Sequence, residues 1–133
     1  MIWTGGDGPV LLLLGTGIGG FCGAVARYYL GGLVVARWDN KFPLGTFLIN
    51  IIGAFILCFL LGLSQRGHIL PPVLNATIAT GFLGAFTTFS TFSSESVQLF
   101  EEGRWLTALG YLCCTIFSGL LAGWFGYLAG INI

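Results

Sequence analysis

Charged residues divide this 133-residue chain into long uncharged stretches. Four such stretches, each 19 to 29 residues long, occupy positions 8–26, 42–65, 67–94 and 105–133. A helix that crosses a bilayer needs about 20 predominantly apolar residues. Only 8% of the residues are charged, too few to cover a soluble globule with a polar surface. The sequence therefore predicts an all-α membrane protein, a single domain over 1–133. The expected transmembrane helices lie near 10–35, 44–64, 72–100 and 105–130.

Several classes of function are excluded by composition. Five basic and five acidic residues give a net charge of zero, so no basic surface is available for nucleic acid. The four cysteines lie inside the apolar stretches without metal-ligand spacing and are interpreted as small buried hydrophobes. With one histidine and no Gly-x-Ser-x-Gly elbow, we expect that the chain is not an enzyme.

The basic residues give only a weak signal for membrane orientation. Arg37, Lys41 and Arg104 fall at one membrane face and Arg66 at the other. So small a bias permits insertion in both orientations, and such a chain could pair with an inverted copy of itself. Four helices alone scarcely enclose a protein-lined pathway, so we expect an oligomer.

Glycines recur at four-residue spacing, which allows helices to approach closely. The sequence predicts packing roles for Gly15, Gly19 and Gly23, and for the pairs Gly119/Gly123 and Gly126/Gly130.

The third span is unusually rich in small and hydroxyl residues. Its second half contains Gly81, Gly84, Thr87, Thr88, Ser90, Thr91, Ser93 and Ser94. Glycine and β-branched threonine form helix poorly, so we predict a helix break between Gly84 and Thr88. Backbone carbonyls freed by a break inside a membrane must be satisfied by protein, water or a bound cation.

Aromatic residues accompany these hydroxyls. Three-residue spacing predicts that Phe86, Phe89 and Phe92 lie on roughly one helix face. Thr88, Thr91 and Glu95 form a second, polar stripe. Phenylalanine in a membrane usually only packs, but the positive edge of its ring could also stabilise a small anion.

Polar residues also occur in the second and fourth spans. Thr46, Asn50 and Gly53 follow at helical spacing, and the Asn50 amide could donate hydrogen bonds to an anion or to another helix. Thr115 and Ser118 either extend a polar track or bond to carbonyls of their own helix.

Three motifs together closely resemble the Fluc (CrcB) fluoride channels over nearly the whole chain. They are Gly20-x-x-Gly23-Ala24-x-x-Arg27-Tyr28, Pro43-Leu44-Gly45-Thr46-x-x-x-Asn50-x-x-Gly53-Ala54-Phe55, and Gly81-Phe82-x-Gly84-x-x-Thr87-Thr88-Phe89-Ser90-Thr91-Phe92-Ser93-x-Glu95. The third motif is the most specific in order and spacing. Ala85 and Leu83 are small departures from the family pattern, where glycine and cysteine are usual.

The resemblance implies an antiparallel, dual-topology homodimer in the plasma membrane, which in a prokaryote is the inner membrane. It implies passive export of fluoride through two pathways, with a structural sodium ion at the dimer centre. The sodium ligands would be the backbone carbonyls of Gly84 and Thr87. The implied fluoride pathway comprises Phe89, Phe92, Asn50, Thr88, Ser90, Thr91 and Glu95, with Thr115 and Ser118 more loosely matched and Arg27 near a vestibule.

Two other classes of membrane protein remain as alternatives. A proton-coupled small multidrug exporter also uses four short helices, but its first span needs a buried carboxylate where this chain offers only Arg27. A non-transporting assembly factor would show no ion flux.

Overall fold

The computed structural model describes residues 8–38, 41–68 and 70–133, and every regular element within them is helical. The elements are α1 (Gly8–Arg37), α2 (Leu44–Gln65), α3 (Pro72–Asn75), a π-helical segment (Ala76–Leu83), α4 (Gly84–Phe86), α5 (Phe89–Glu101) and α6 (Trp105–Asn132). The four predicted membrane-spanning helices are confirmed, since α1, α2, the third span (72–101) and α6 are each long and apolar enough to cross a bilayer. Some helices extend one or two residues beyond their predicted ends. For example, α1 continues to Arg37 and α2 to Gln65.

Hydrogen bonds between connections show which helix ends lie together. The Arg104 side chain donates to the Lys41 carbonyl at 3.2 Å, so Lys41, shortly before α2, and Arg104, directly before α6, lie at one end of the bundle. At the other end, Arg66 Nε donates to the Ile131 carbonyl. The chain turns at Gly67 and Gly103, whose positive φ angles of 89° and 71° suit glycine.

Glycines allow α2 and α6 to pack with their backbones nearly in contact. A Cβ atom on Gly126 would overlap the Phe55 carbonyl, and one on Gly130 would overlap the Phe59 carbonyl. The predicted packing role of this pair is thus confirmed. Gly119 differs. A Cβ atom placed there would have no described atom of another helix within 4 Å. Its predicted helix contact is therefore not made within this protomer.

The glycine face of α1 packs in the same way against the third span. A Cβ atom on Gly19 would overlap the Thr77 carbonyl, and one on Gly23 would overlap the Phe82 carbonyl. These contacts lie along the π-helical segment, a wide helical form that the residue pattern did not predict and that is common at functional sites.

The third span is broken where the sequence predicts. α4 ends at Phe86, and the backbone is extended at Thr87 (φ −73°, ψ 154°) and Thr88 (φ −150°, ψ 115°) before α5 begins at Phe89. The break also corrects one prediction. Phe86 lies before the break, where it is buried and stacks on Phe82 at 5.8 Å, whereas Phe89 and Phe92 lie beyond the break with their ring centres 5.9 Å apart. Helical spacing no longer relates the three rings because the helix does not continue between them.

Large apolar side chains cover the outside of the bundle. Leu13, Phe21, Leu106 and Leu120 are each more than two-thirds exposed in the protomer. In water such a surface would aggregate, whereas in a bilayer it contacts lipid or another membrane helix. The chain is therefore a multi-pass membrane protein.

Candidate functional site

A cleft of about 520 Å³ opens at the end of the bundle where α1 connects to α2. We call it the vestibule cleft. Four of the predicted site residues line it, namely Arg27, Thr88, Thr91 and Glu95. The structure thus brings together a cation from the first span and the polar stripe of the third, while Tyr28, Trp38 and Phe42 supply aromatic wall.

Two hydroxyl groups hold the Glu95 carboxylate. Thr46 donates to Oε1 at 2.8 Å, and Tyr111 donates to Oε2 at 2.7 Å. Both carboxylate oxygens are therefore hydrogen-bonded, which fixes the orientation of a group that also lines the cleft. The Tyr111 side chain is fully buried, and its ring packs on Phe42 at 5.3 Å and on Phe92 at 5.2 Å.

Tyr111 is part of the candidate site through its hydrogen bond to Glu95, and the sequence interpretation missed it. It lies four residues before Thr115 on α6, so helical spacing places both on one face. That spacing is the signal that could have identified it.

The Asn50 amide is paired with the backbone of the helix break. Its Nδ2 donates to the Thr88 carbonyl at 3.1 Å, and its Oδ1 accepts from the Thr88 N–H at 2.8 Å. Of the two partners considered for this amide, an anion or another helix, the structure shows the helix. One amide hydrogen is used in this way, and an asparagine nitrogen carries two.

The break leaves two carbonyls without their usual helical donors. In an unbroken helix the Thr88 N–H would donate to the Gly84 carbonyl, but it donates to Asn50 instead. Likewise the Thr91 N–H, which would serve the Thr87 carbonyl, donates to Thr88 Oγ1 at 3.2 Å. The affected carbonyls belong to the two residues predicted to coordinate sodium.

Hydroxyl groups cluster at the start of α5. Thr88 Oγ1 donates to Thr91 Oγ1 at 2.9 Å and lies 3.3 Å from Ser90 Oγ. Thr88 is buried, whereas Ser90 and Thr91 are exposed on the protomer. The cluster therefore combines an anchored hydroxyl with two that face outward.

The two predicted pathway rings occupy different environments. Phe89 is 79% exposed and Phe92 only 7% exposed, although their ring centres are 5.9 Å apart. Phe92 belongs to a buried cluster with Leu99, Ala108 and Tyr111. Of these two rings, Phe89 is the one that offers an exposed edge on the protomer.

Farther along α6, Thr115 is buried and its hydroxyl has no hydrogen-bond partner within the described part of the chain. The alternative that it bonds to its own helix is therefore not realised. Ser118 is half-buried and follows three residues later. With Tyr111, these residues place a line of hydroxyls on one face of α6.

A family model described as "CrcB-like protein, Camphor Resistance (CrcB)" matches residues 14–127. This chain belongs to the CrcB family. It is 46% identical over 120 residues to "Fluoride-specific ion channel FluC 1" of Bacillus cereus, which covers 90% of this chain and 83% of the relative. It is 44% identical over 119 residues to "Fluoride-specific ion channel FluC 2" of Geobacillus kaustophilus, covering 90% of this chain and 92% of the relative. The family confirms the resemblance found in the motifs and the prediction that this protein is not an enzyme.

Proposed function

We propose that this protein is a fluoride-selective ion channel. The observation that carries the proposal is its 46% identity to a fluoride-specific channel across 90% of the chain. The hydroxyl cluster beside the vestibule cleft supplies chemistry suited to that ion.

Fluoride is a small anion and a strong hydrogen-bond acceptor, so a pathway must replace its hydration with closely spaced donors. The hydroxyls of Ser90 and Thr91 supply such donors, and the exposed Phe89 ring offers a positive edge. Arg27 at the cleft attracts anions without standing inside a narrow pathway where it would trap them. Asn50, Thr115 and Ser118 extend the set of donors deeper into the protein.

An antiparallel homodimer accounts for the groups that one protomer leaves open. Phe89, Ser90 and Thr91 are exposed at membrane depth, where a polar pathway must be enclosed by protein. A second copy would supply the missing wall. The weak bias of basic residues, with Lys41 and Arg104 at one end and Arg66 at the other, supports pairing with an inverted copy.

A structural sodium ion fits the break. The Gly84 and Thr87 carbonyls lack the helical donors that Thr88 and Thr91 would provide, and Gly84 is exposed on the protomer. Unwound carbonyls of this kind coordinate sodium in transporters with broken helices. The ion would supply positive charge that stabilises the freed carbonyl dipoles. Ala85 does not remove either ligand, because only backbone oxygens are involved.

Passive export follows from the chemistry of the substrate. Hydrogen fluoride crosses membranes and dissociates in neutral cytoplasm, so fluoride accumulates inside the cell. A selective pathway in the plasma membrane would let the anion leave down its electrochemical gradient without an energy source.

The proposal is tested by fluoride efflux from liposomes containing the purified protein, measured with a fluoride electrode beside a matched chloride experiment. A potassium ionophore removes the charge that would otherwise stop the flow. We expect rapid loss of fluoride with little loss of chloride. Absence of fluoride loss from folded protein supplied with sodium would refute the proposed function.

The sodium and dimer proposals have separate tests. Replacing sodium by N-methylglucamine should lower fluoride flux, and equal flux in both solutions would refute a sodium requirement. Crosslinking of single-cysteine variants on opposite membrane ends should trap an antiparallel dimer, and trapping only of equivalent ends would contradict the inverted arrangement.

A further inference from the structure

The helix break rests on a small area of α2 that contains Asn50 and Gly53. Asn50 makes two hydrogen bonds with the backbone of Thr88, as described above. Gly53 lies one turn farther along α2 and is buried against Thr87. Asn50 and Gly53 lie three residues apart on one face of α2, and they contact the adjacent residues Thr88 and Thr87 of the extended segment.

The contact at Gly53 leaves no room for a side chain. A Cβ atom placed there would overlap the Thr87 methyl group Cγ2, while the next closest atoms, Phe86 Cδ1 and Thr87 Cβ, lie 3.5 and 3.7 Å away. These longer distances are ordinary van der Waals contacts. The methyl group alone therefore excludes a side chain at position 53.

The direction of that methyl group is fixed by a hydrogen bond. Thr87 Oγ1 donates to the Leu83 carbonyl at 2.9 Å, which sets the χ1 rotamer of the side chain. With the hydroxyl held there, Cγ2 points at Gly53. Threonine at 87 and glycine at 53 therefore act as a complementary pair.

We infer that Gly53 is a positioning residue for the proposed fluoride channel, because its missing side chain receives the Thr87 methyl group and thereby sets the position of the break on α2. Asn50 holds the backbone at Thr88, and Gly53 sets how closely Thr87 approaches α2. Together they aim the Thr87 carbonyl and place the hydroxyls of Thr88 and Thr91. This role rests on the proposed function, but the contact itself can be tested without it.

The experiment measures how Gly53→Ala changes fluoride and chloride flux in three proteins that differ at position 87. Threonine is the native residue, serine keeps the hydroxyl but lacks the methyl, and valine keeps a methyl but lacks the hydroxyl. With threonine or valine present, Gly53→Ala should lower both the fluoride-over-chloride flux ratio and the fluoride flux by at least tenfold. With serine present, the same substitution should change each by less than threefold.

Gly62→Ala is a matched control on the same helix. Its Cβ atom would approach the α6 backbone, with the Tyr127 carbonyl closest, so Thr87→Ser should not relieve its effect. If serine at 87 rescues both glycine variants equally, it acts as a general suppressor and the inference is wrong. An equal cost of Gly53→Ala in all three backgrounds would also overturn it.

Unfolding midpoints of the same variants in detergent separate this inference from the proposed function. If the unmodified protein conducts no fluoride, the proposed function fails, and the unfolding data still decide the contact. Relief of the Gly53→Ala destabilisation by serine, but not by valine, supports the contact. If Gly53→Ala lowers the unfolding midpoint equally with threonine and with serine at position 87, the contact is refuted. If folded Gly53→Ala protein keeps the native flux ratio, the residue has no positioning role.

Discussion

Replacing Tyr111 by phenylalanine removes a single hydroxyl from a hydrogen bond of the candidate site. The Tyr111 side chain is fully buried, and its hydroxyl lies 2.7 Å from Glu95 Oε2. Phenylalanine keeps the ring contacts with Phe42 and Phe92, so packing is preserved. The substitution therefore isolates the hydrogen bond.

The expected cost follows from the chemistry of that bond. In soluble proteins a hydrogen bond to a charged group contributes about 1.5 to 3 kcal/mol, whereas in membrane proteins measured couplings average about 0.6 and reach about 1.7 kcal/mol. Because the Glu95 oxygen loses its tyrosine donor inside the protein, we expect the upper part of the membrane range. The free energy of unfolding should fall by about 1.5 kcal/mol, roughly a tenfold change in the unfolding equilibrium.

The assay is reversible unfolding of purified protein in mixed micelles by increasing sodium dodecyl sulfate. Tyr127→Phe is the matched control, since Tyr127 lies on the same helix and its hydroxyl makes no hydrogen bond within the described ranges. A double-mutant cycle with Thr46→Val tests whether the two donors share the carboxylate. We expect Tyr111→Phe to cost more when Thr46 is already replaced, because Glu95 then loses its second donor. Equal costs for Tyr111→Phe and Tyr127→Phe would refute the reasoning.

Three further outcomes are expected. Gly126→Ala should abolish the folded, monodisperse peak in size-exclusion chromatography, because its Cβ atom would overlap a backbone carbonyl of α2. Gly119→Ala on the same helix should elute normally. Normal elution of both variants would contradict the packing argument. Phe89→Ile should slow fluoride efflux and lower the unfolding midpoint less than Phe92→Ile does, because the Phe89 ring is 79% exposed within the protomer whereas Phe92 lies in a buried cluster. Unchanged efflux would remove the ring-edge role. Thr115→Val should raise the free energy of unfolding by about 1 kcal/mol, because it removes a buried hydroxyl that has no described hydrogen-bond partner. The same substitution should slow fluoride efflux. A lower free energy of unfolding would show that the hydroxyl makes a hydrogen bond in the folded protein.

The sequence predicted the features that depend on neighbouring residues. Uncharged stretches of sufficient length identified the four spans, because apolar length alone decides whether a helix can cross a bilayer. The weak helix formers between Gly84 and Thr88 predicted the break, since helix propensity acts locally. Glycine spacing on α1 and α6 identified close-packed faces, because helical periodicity fixes which residues share a face.

The contacts between spans were decided only by the tertiary structure. Asn50 and Thr88 are 38 positions apart, and Thr46 and Glu95 are 49 apart, so no local spacing relates them. The break also ended the periodicity on which the position of Phe86 was predicted. A change from helical to extended backbone at Thr87 redirects every residue beyond it, and the new direction depends on what α2 and α6 present there. Hydropathy and spacing determine which segments cross the membrane, but the partner of each buried polar group is set by how those segments pack.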